Sequence, residues 1–131
     1  MGGFTVKTRA DVPDVLGDYP GEMQPFTGEL GNEQVALTYR RMPQHTGGKG
    51  GYGHFHKTQE EIYFVVAGTL QFKLDNELVE ADKGTAIRVA PEVVRSVWNA
   101  EPEDAELVIV SVRIDDPRGD ADYVPDFWPD D

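Results

Sequence analysis

Residues 48–68 read Gly48-Lys-Gly-Gly-Tyr-Gly-His54-Phe-His56-Lys-Thr-Gln-Glu-Glu61-Ile-Tyr-Phe-Val-Val-Ala-Gly68, or G-x5-H-x-H-x4-E-x6-G. Side chains in a strand alternate faces with a period of two. His54 and His56 therefore point to one side together, and Glu61 shares its side with Tyr63 and Val65. If those sides face a common interior, two imidazoles and a carboxylate converge there. That donor set suits a divalent metal of borderline character: Fe, Mn, Ni or Zn, with two histidines and one carboxylate being the usual set for non-haem iron.

The surrounding sequence is β throughout. Val35–Arg41 reads as a strand, followed by Tyr52–His56 after a loop with five glycines in seven residues. Glu61–Ala67 is apolar on both faces, which predicts a strand between two packed layers. Leu70–Leu74 alternates apolar and polar, and Asp75-Asn76 is a hairpin turn into Leu78–Ala81. Thr85–Val89, Val93–Asn99 and Leu107–Arg113 complete the set. Short strands at regular spacing with turn signals between them indicate a sandwich or barrel. The fold class read from this is all-β, and a jelly-roll barrel fits the strand count. It is flanked by an irregular N-terminal arm (1–34) and an acidic, aromatic C-terminal tail (115–131), with the barrel over 35–114 and one domain overall. In the arm, Phe4–Thr8 reads as a short strand and Val12–Leu16 as a helical turn.

The first stretch resembles the first conserved motif of the cupin family. A second, Gly84-Thr-Ala-Ile-Arg-Val-Ala-Pro-Glu-Val-Val-Arg95-Ser-Val-Trp-Asn99, resembles the second cupin motif, G-x5-P-x-G-x2-H-x3-N. The resemblance covers roughly residues 35 to 113 and implies a small single-domain cupin with a double-stranded β-helix. Cupins commonly bind metal through three histidines and one glutamate. By position, His54, His56 and Glu61 match three of those ligands. Arg95 stands where the family has its third histidine. The resemblance also implies a range of reactions (dioxygenase, decarboxylase, isomerase) and a homodimer.

Arg95 cannot ligate, because a guanidinium stays protonated and offers donors only. Placed ~5 Å from a divalent cation at an effective dielectric of ~20, it costs roughly 6 kcal/mol. Three arrangements resolve this. Arg95 pairs with Glu61 and replaces the metal; it turns toward the barrel mouth and leaves a three-ligand site; or it binds an anionic substrate beside the metal. Tyr63 and His45 join Arg95 as catalytic candidates for proton transfer. His45 starts the glycine loop, where a solvent-exposed position is expected. Glu60 faces away from Glu61 and is expected to be solvated.

Gly68 and Gly84 are read as turn residues and Asn99 as a loop holder. The string Gly48-Lys-Gly50-Gly-Tyr-Gly53 spells a dinucleotide-binding signature, but it leads into a strand rather than a helix N-terminus. Its glycines read instead as a mobile lip of the barrel.

Absence of cysteine excludes thiolate sites and disulfides. A formal charge of −12, with seven aspartates against one arginine over residues 115–131, disfavours nucleic acid and anionic membranes as partners. No secretory leader or membrane-length apolar run is apparent, so a cytoplasmic location is expected. The aromatic residues Tyr123, Phe127 and Trp128 imply that the tail folds back on the barrel or covers a partner subunit. Two functions follow as expectations: a metal-dependent protein acting on a small, anionic molecule, or a metal-free barrel holding such an anion at Arg95 and the histidine pair.

Overall fold

A computed structural model describes residues 3–130. Two antiparallel sheets face each other. The first runs in the order β1 (Glu22–Pro25), β2 (Val35–Met42), β10 (Ala105–Val112), β5 (Glu61–Ala67), β8 (Ala86–Val89). The second runs β11 (Ala121–Val124), β4 (Gly53–His56), β9 (Arg95–Asn99), β6 (Thr69–Leu74), β7 (Glu77–Asp82), with the two-residue β3 (Thr46–Gly47) also paired to β9. This is the double-stranded β-helix expected from the sequence. Two single-turn helices, α1 (Thr27–Leu30) and α2 (Pro117–Asp120), lie outside the sheets. No helix among the described residues is long and apolar enough to cross a membrane.

Alternation builds the core. Tyr63 and Val65 of β5, Leu107 of β10 and Met42 of β2 line the inner face of the first sheet. Leu70 and Phe72 of β6 and Val97 of β9 answer them from the second. Tyr63 and Phe72 meet edge to face, with ring centroids 5.6 Å apart. The β5–β6 corner needs glycine at Gly68. Its φ is +75°, and a Cβ there would come within 2.8 Å of the Asp104 carbonyl oxygen. At the β6–β7 turn Asp75 takes φ 52°, and its carboxylate accepts a hydrogen bond from the Val94 amide at 2.9 Å.

Several expectations need correction. β5 is apolar on both faces, yet only one is packed: Ile62, Phe64 and Val66 are exposed on the outside of the sheet. Apolar content does not reveal a second layer, because β5 lies between β10 and β8 in a sheet covered on its inner side only. Phe4–Thr8 forms no strand. It has no strand neighbour, and Phe4 is exposed. The helical turn falls at Arg9–Asp11 rather than Val12–Leu16, because Thr8 and Asp11 form a capping box around it. The arm's strand is β1, paired to β2 and clamped by the Arg41–Glu22 ion pair. The tail does fold back: α2 begins at the Asp116 cap with Pro117 in its first turn, and β11 extends the second sheet. The glycine loop is tied down, with the Gly50 amide donating to the Trp128 carbonyl and the Trp128 amide to that of Gly51.

Phe72 is fully buried and Phe64 is not. Urea unfolding of Phe72→Ala should show a loss of about 3–5 kcal/mol. Phe64→Ala should cost much less. Equal losses would place the core on the wrong face of the sheet.

Candidate metal centre

One end of the barrel collects the polar residues that the core excludes. β4 sends His54 and His56 inward, β5 sends Glu61, and β9 sends Arg95. One ligand atom from each of His54, His56 and Glu61 lies within 4.8 Å of the others. Ligands about 2.1 Å from a common ion stand roughly 3–4 Å apart, so a small contraction suffices. His56 Nε2 is 3.6 Å from Glu61 Oε2, and neither nitrogen of this buried ring makes a hydrogen bond. A buried imidazole without partners is costly in a fold otherwise well satisfied. Orphaned nitrogen, carboxylate and borderline donor chemistry all fit a divalent cation.

The protonation states suit this. Burial, then the Arg95 charge, then His56 lower the His54 pKa to about 4, so His54 is neutral at pH 7 and its lone pair is free to ligate. The Tyr63 hydroxyl donates to Glu61 Oε1 at 2.7 Å and fixes that carboxylate. Burial raises the Tyr63 pKa well above its ordinary value, and Glu61 raises it further. Tyr63 therefore stays protonated and holds Glu61 in place.

Arg95 is directly opposite His54 in the β4–β9 pair and is 1% exposed. Its Nη2 donates to the Ala90 carbonyl at 3.0 Å. Its Nε stands 3.7 Å from Glu61 Oε1, too far for a hydrogen bond, and Nε and Nη1 have no partner. Arg95 is thus buried and ion-paired with Glu61, without a hydrogen bond between them.

The other residues singled out from the sequence lie apart. His45 takes φ 61° and stacks on the outward-facing Trp98, 6.0 Å between centroids, away from the barrel interior. Glu60 is exposed and bonded to Arg88. Asn99 is fully buried; its amide donates to the Met42 and Glu103 carbonyls, both at 2.8 Å, and holds the β9–β10 loop.

Sequence reasoning missed Asp120. This buried carboxylate reaches the His56 ring from behind, 3.3 Å from Nδ1, without the alignment of a hydrogen bond. Burial acts to raise its pKa, but hydrogen bonds from the Thr58 hydroxyl and from the Gln59 and Thr58 amides win and lower it to about 2. An anion at Nδ1 favours the proton on that nitrogen and leaves Nε2 to face Glu61. Nothing in the sequence separates Asp120 from the six other aspartates after residue 114. Only the β11–β4 register, which sets Ala121 beside His56, selects it.

Residues 41–111 match the cupin domain model, and the chain belongs to the cupin family. No curated protein sequence matches it. Among solved structures, a cupin protein from Bacteroides fragilis superposes with a TM-score of 0.69 at 19% identity, covering 88% of each chain. KdgF from a Halomonas species gives 0.67 at 19% identity, over 88% of this chain and 98% of that one. A predicted oxalate decarboxylase from Thermotoga maritima gives 0.67 at 18%, over 84% and 100%. At these identities the likeness is one of fold.

Two measurements probe the geometry. Asp120→Asn, which keeps an acceptor for Thr58 and Gln59, should weaken divalent-metal affinity about 10-fold or more in chelator competition; an unchanged affinity would remove Asp120 from the site. In chelated protein, the unfolded chain protonates His54 below about pH 6.5 while the folded chain resists until about 4. Stability should therefore fall by about 1–3 kcal/mol as pH drops through that window. His54→Gln should flatten this segment of the stability–pH curve, and an equal slope in both proteins would contradict the burial of a neutral imidazole.

Proposed function

We propose that this cupin binds a divalent metal through His54, His56 and Glu61 and acts on a small organic anion oriented by Arg95. The observation that carries the reading is the convergence of the three ligand atoms within 4.8 Å around a buried imidazole that lacks hydrogen bonds. When bound, a divalent ion there supplies Lewis-acid polarisation of a substrate oxygen.

The chain's own residues do the rest. Tyr63 holds Glu61 through its 2.7 Å hydrogen bond, so the carboxylate keeps one oxygen toward His56. Arg95 presents N–H groups without partners inside the barrel, and a guanidinium fork matches a carboxylate or enolate in geometry and charge. An anion between Arg95 and the ligand set also relieves the repulsion between guanidinium and cation. Core side chains around Tyr63 and Phe72 keep bulk water from that side, which strengthens each of these interactions.

A metal-free barrel that holds the anion at Arg95 and the histidine pair is the second reading. It is favoured by the 3.7 Å approach of Arg95 Nε to Glu61, which offsets the charge of that carboxylate without a metal ion.

Elemental analysis of tag-free protein, with thermal melts after chelation and after adding Fe(II), Mn(II), Ni(II) or Zn(II), separates the two. Near-stoichiometric metal, with stabilisation lost in His56→Ala, is the expected result. No metal and no melt response, with small acids still stabilising the protein, would overturn the metal reading in favour of the metal-free one.

A further inference from the structure

Three of the five tyrosines use their hydroxyls inside the fold. Tyr39 donates to Glu106, Tyr63 donates to Glu61, and Tyr19 accepts from the Gly47 amide. Tyr52 and Tyr123 meet each other instead, edge to face, with ring centroids 5.4 Å apart and an interplanar angle of 72°. Both are exposed, Tyr52 by 58% and Tyr123 by 65%. Yet they adjoin the site. The Tyr123 ring centroid is 6.3 Å from that of His54, which is 5.1 Å from that of His56. A chain of four rings therefore runs from solvent to the buried imidazole whose nitrogens lack hydrogen bonds.

Strand register explains the placement. Tyr123 of β11 is paired with His54 of β4, and His54 is paired with Arg95 of β9. Directly paired residues share a sheet face. Tyr123, His54 and Arg95 thus form one row across three adjacent strands on the side that faces the site. Neighbouring strands are about 4.8 Å apart, so the row spans roughly 10 Å between its outer strands. The loop that carries Tyr52 is tied to the segment that follows Tyr123, because the Gly50 amide donates to the Trp128 carbonyl and the Trp128 amide to the Gly51 carbonyl. Both rings therefore stand on backbone that is fixed in advance, which lowers the ordering cost of binding against them.

We propose that Tyr52 and Tyr123 form an aromatic wall of the ligand site, and that the ligand is a planar aryl carboxylate with its ring in the Tyr52–Tyr123 corner and its carboxylate toward Arg95. The inference rests on the anion-binding reading above and adds the ligand class and two specificity-determining residues. Two rings at 72° make a corner, and a flat ring set in it stacks on one and meets the other edge-on, both favoured arrangements. The faces of the tyrosine rings are electron-rich and disfavour a carboxylate, whereas Arg95 at the other end of the row has N–H groups without partners. The ligand's orientation follows from that contrast. An aliphatic acid of the same size buries apolar area on the tyrosines but lacks the ring–ring geometry. A neutral arene brings no charge for Arg95.

The test is calorimetric titration of the full chain, with Zn(II) added, using benzoate, cyclohexanecarboxylate and benzyl alcohol at constant pH and ionic strength, with metal content measured on the same samples. Benzoate should bind about 3- to 10-fold more tightly than cyclohexanecarboxylate, the change that a favourable ring–ring pair supplies. Tyr123→Leu should bring the two acids level with metal content unchanged, and Tyr123→Phe, which keeps the ring, should retain the preference. Equal binding of the two acids by the unaltered protein overturns the aromatic wall and leaves the anion-binding reading standing, a comparison that needs no variant to fold. A benzoate preference that survives both Tyr123→Leu and Tyr52→Leu also overturns the wall. Benzyl alcohol that binds as tightly as benzoate sinks the anion-binding reading, and the aryl carboxylate with it. Failure of both acids to bind overturns the two together.

Discussion

β4 is four residues long, and its pairing holds the site together. It meets β9 at a single register pair, His54 with Arg95, and takes its remaining sheet contacts from β11 on the other side. The β9 pairing puts a permanent positive charge beside the His54 imidazole, and the β11 pairing sets His56 beside Ala121, directly after α2. Gly53, at the head of β4, shows how tight the junction is. A Cβ there would collide with the Phe127 ring and come within 3.0 Å of the Arg95 carbonyl oxygen. The site is therefore assembled by strands from three distant parts of the chain, and none of them holds its geometry alone.

Charge sets the chemistry within that frame. The protein carries −12 overall, yet its barrel interior holds two arginines, Arg40 and Arg95, with guanidinium nitrogens that lack partners. The acidic residues are mostly outside, where they favour solubility. The exceptions are Glu61, held by Tyr63, and Asp120, held by Thr58 and Gln59. Both are oriented by donors before any ligand arrives, so little side-chain ordering remains to oppose binding.

The tail has a structural part in this. Trp128 is buried, its backbone pins the glycine loop, and Phe127 packs on Gly53 and receives the Lys73 ammonium over its ring at 3.8 Å. α2 then delivers Asp120 to the back of His56. The acidic, aromatic tail is thereby coupled to the histidine pair through one strand and one turn.

The barrel strands from β2 to β10, the two-residue β3 aside, were legible from periodicity, and the two motifs that resemble those of cupins supplied the barrel class and the convergence of His54, His56 and Glu61, which alternation along the strands allows. β5 was located to the residue, although its exposed outer face was not foreseen: an apolar residue records a preference, and which sheet face is covered depends on what packs there. The same limit hid the rest. Arg40 and Arg41 are the same residue type one position apart, and only the position of β2 in the sheet makes one an ion-pair partner of Glu22 and Asp104 and leaves Nε of the other buried with no hydrogen-bond partner among the described residues. Asp120 is one of seven aspartates after residue 114, and it reaches His56 only because β11 adds to β4 in one register. Local chemistry follows from the sequence because spacing along a strand is rigid. Which distant groups meet it is decided by strand pairing, which no local spacing encodes.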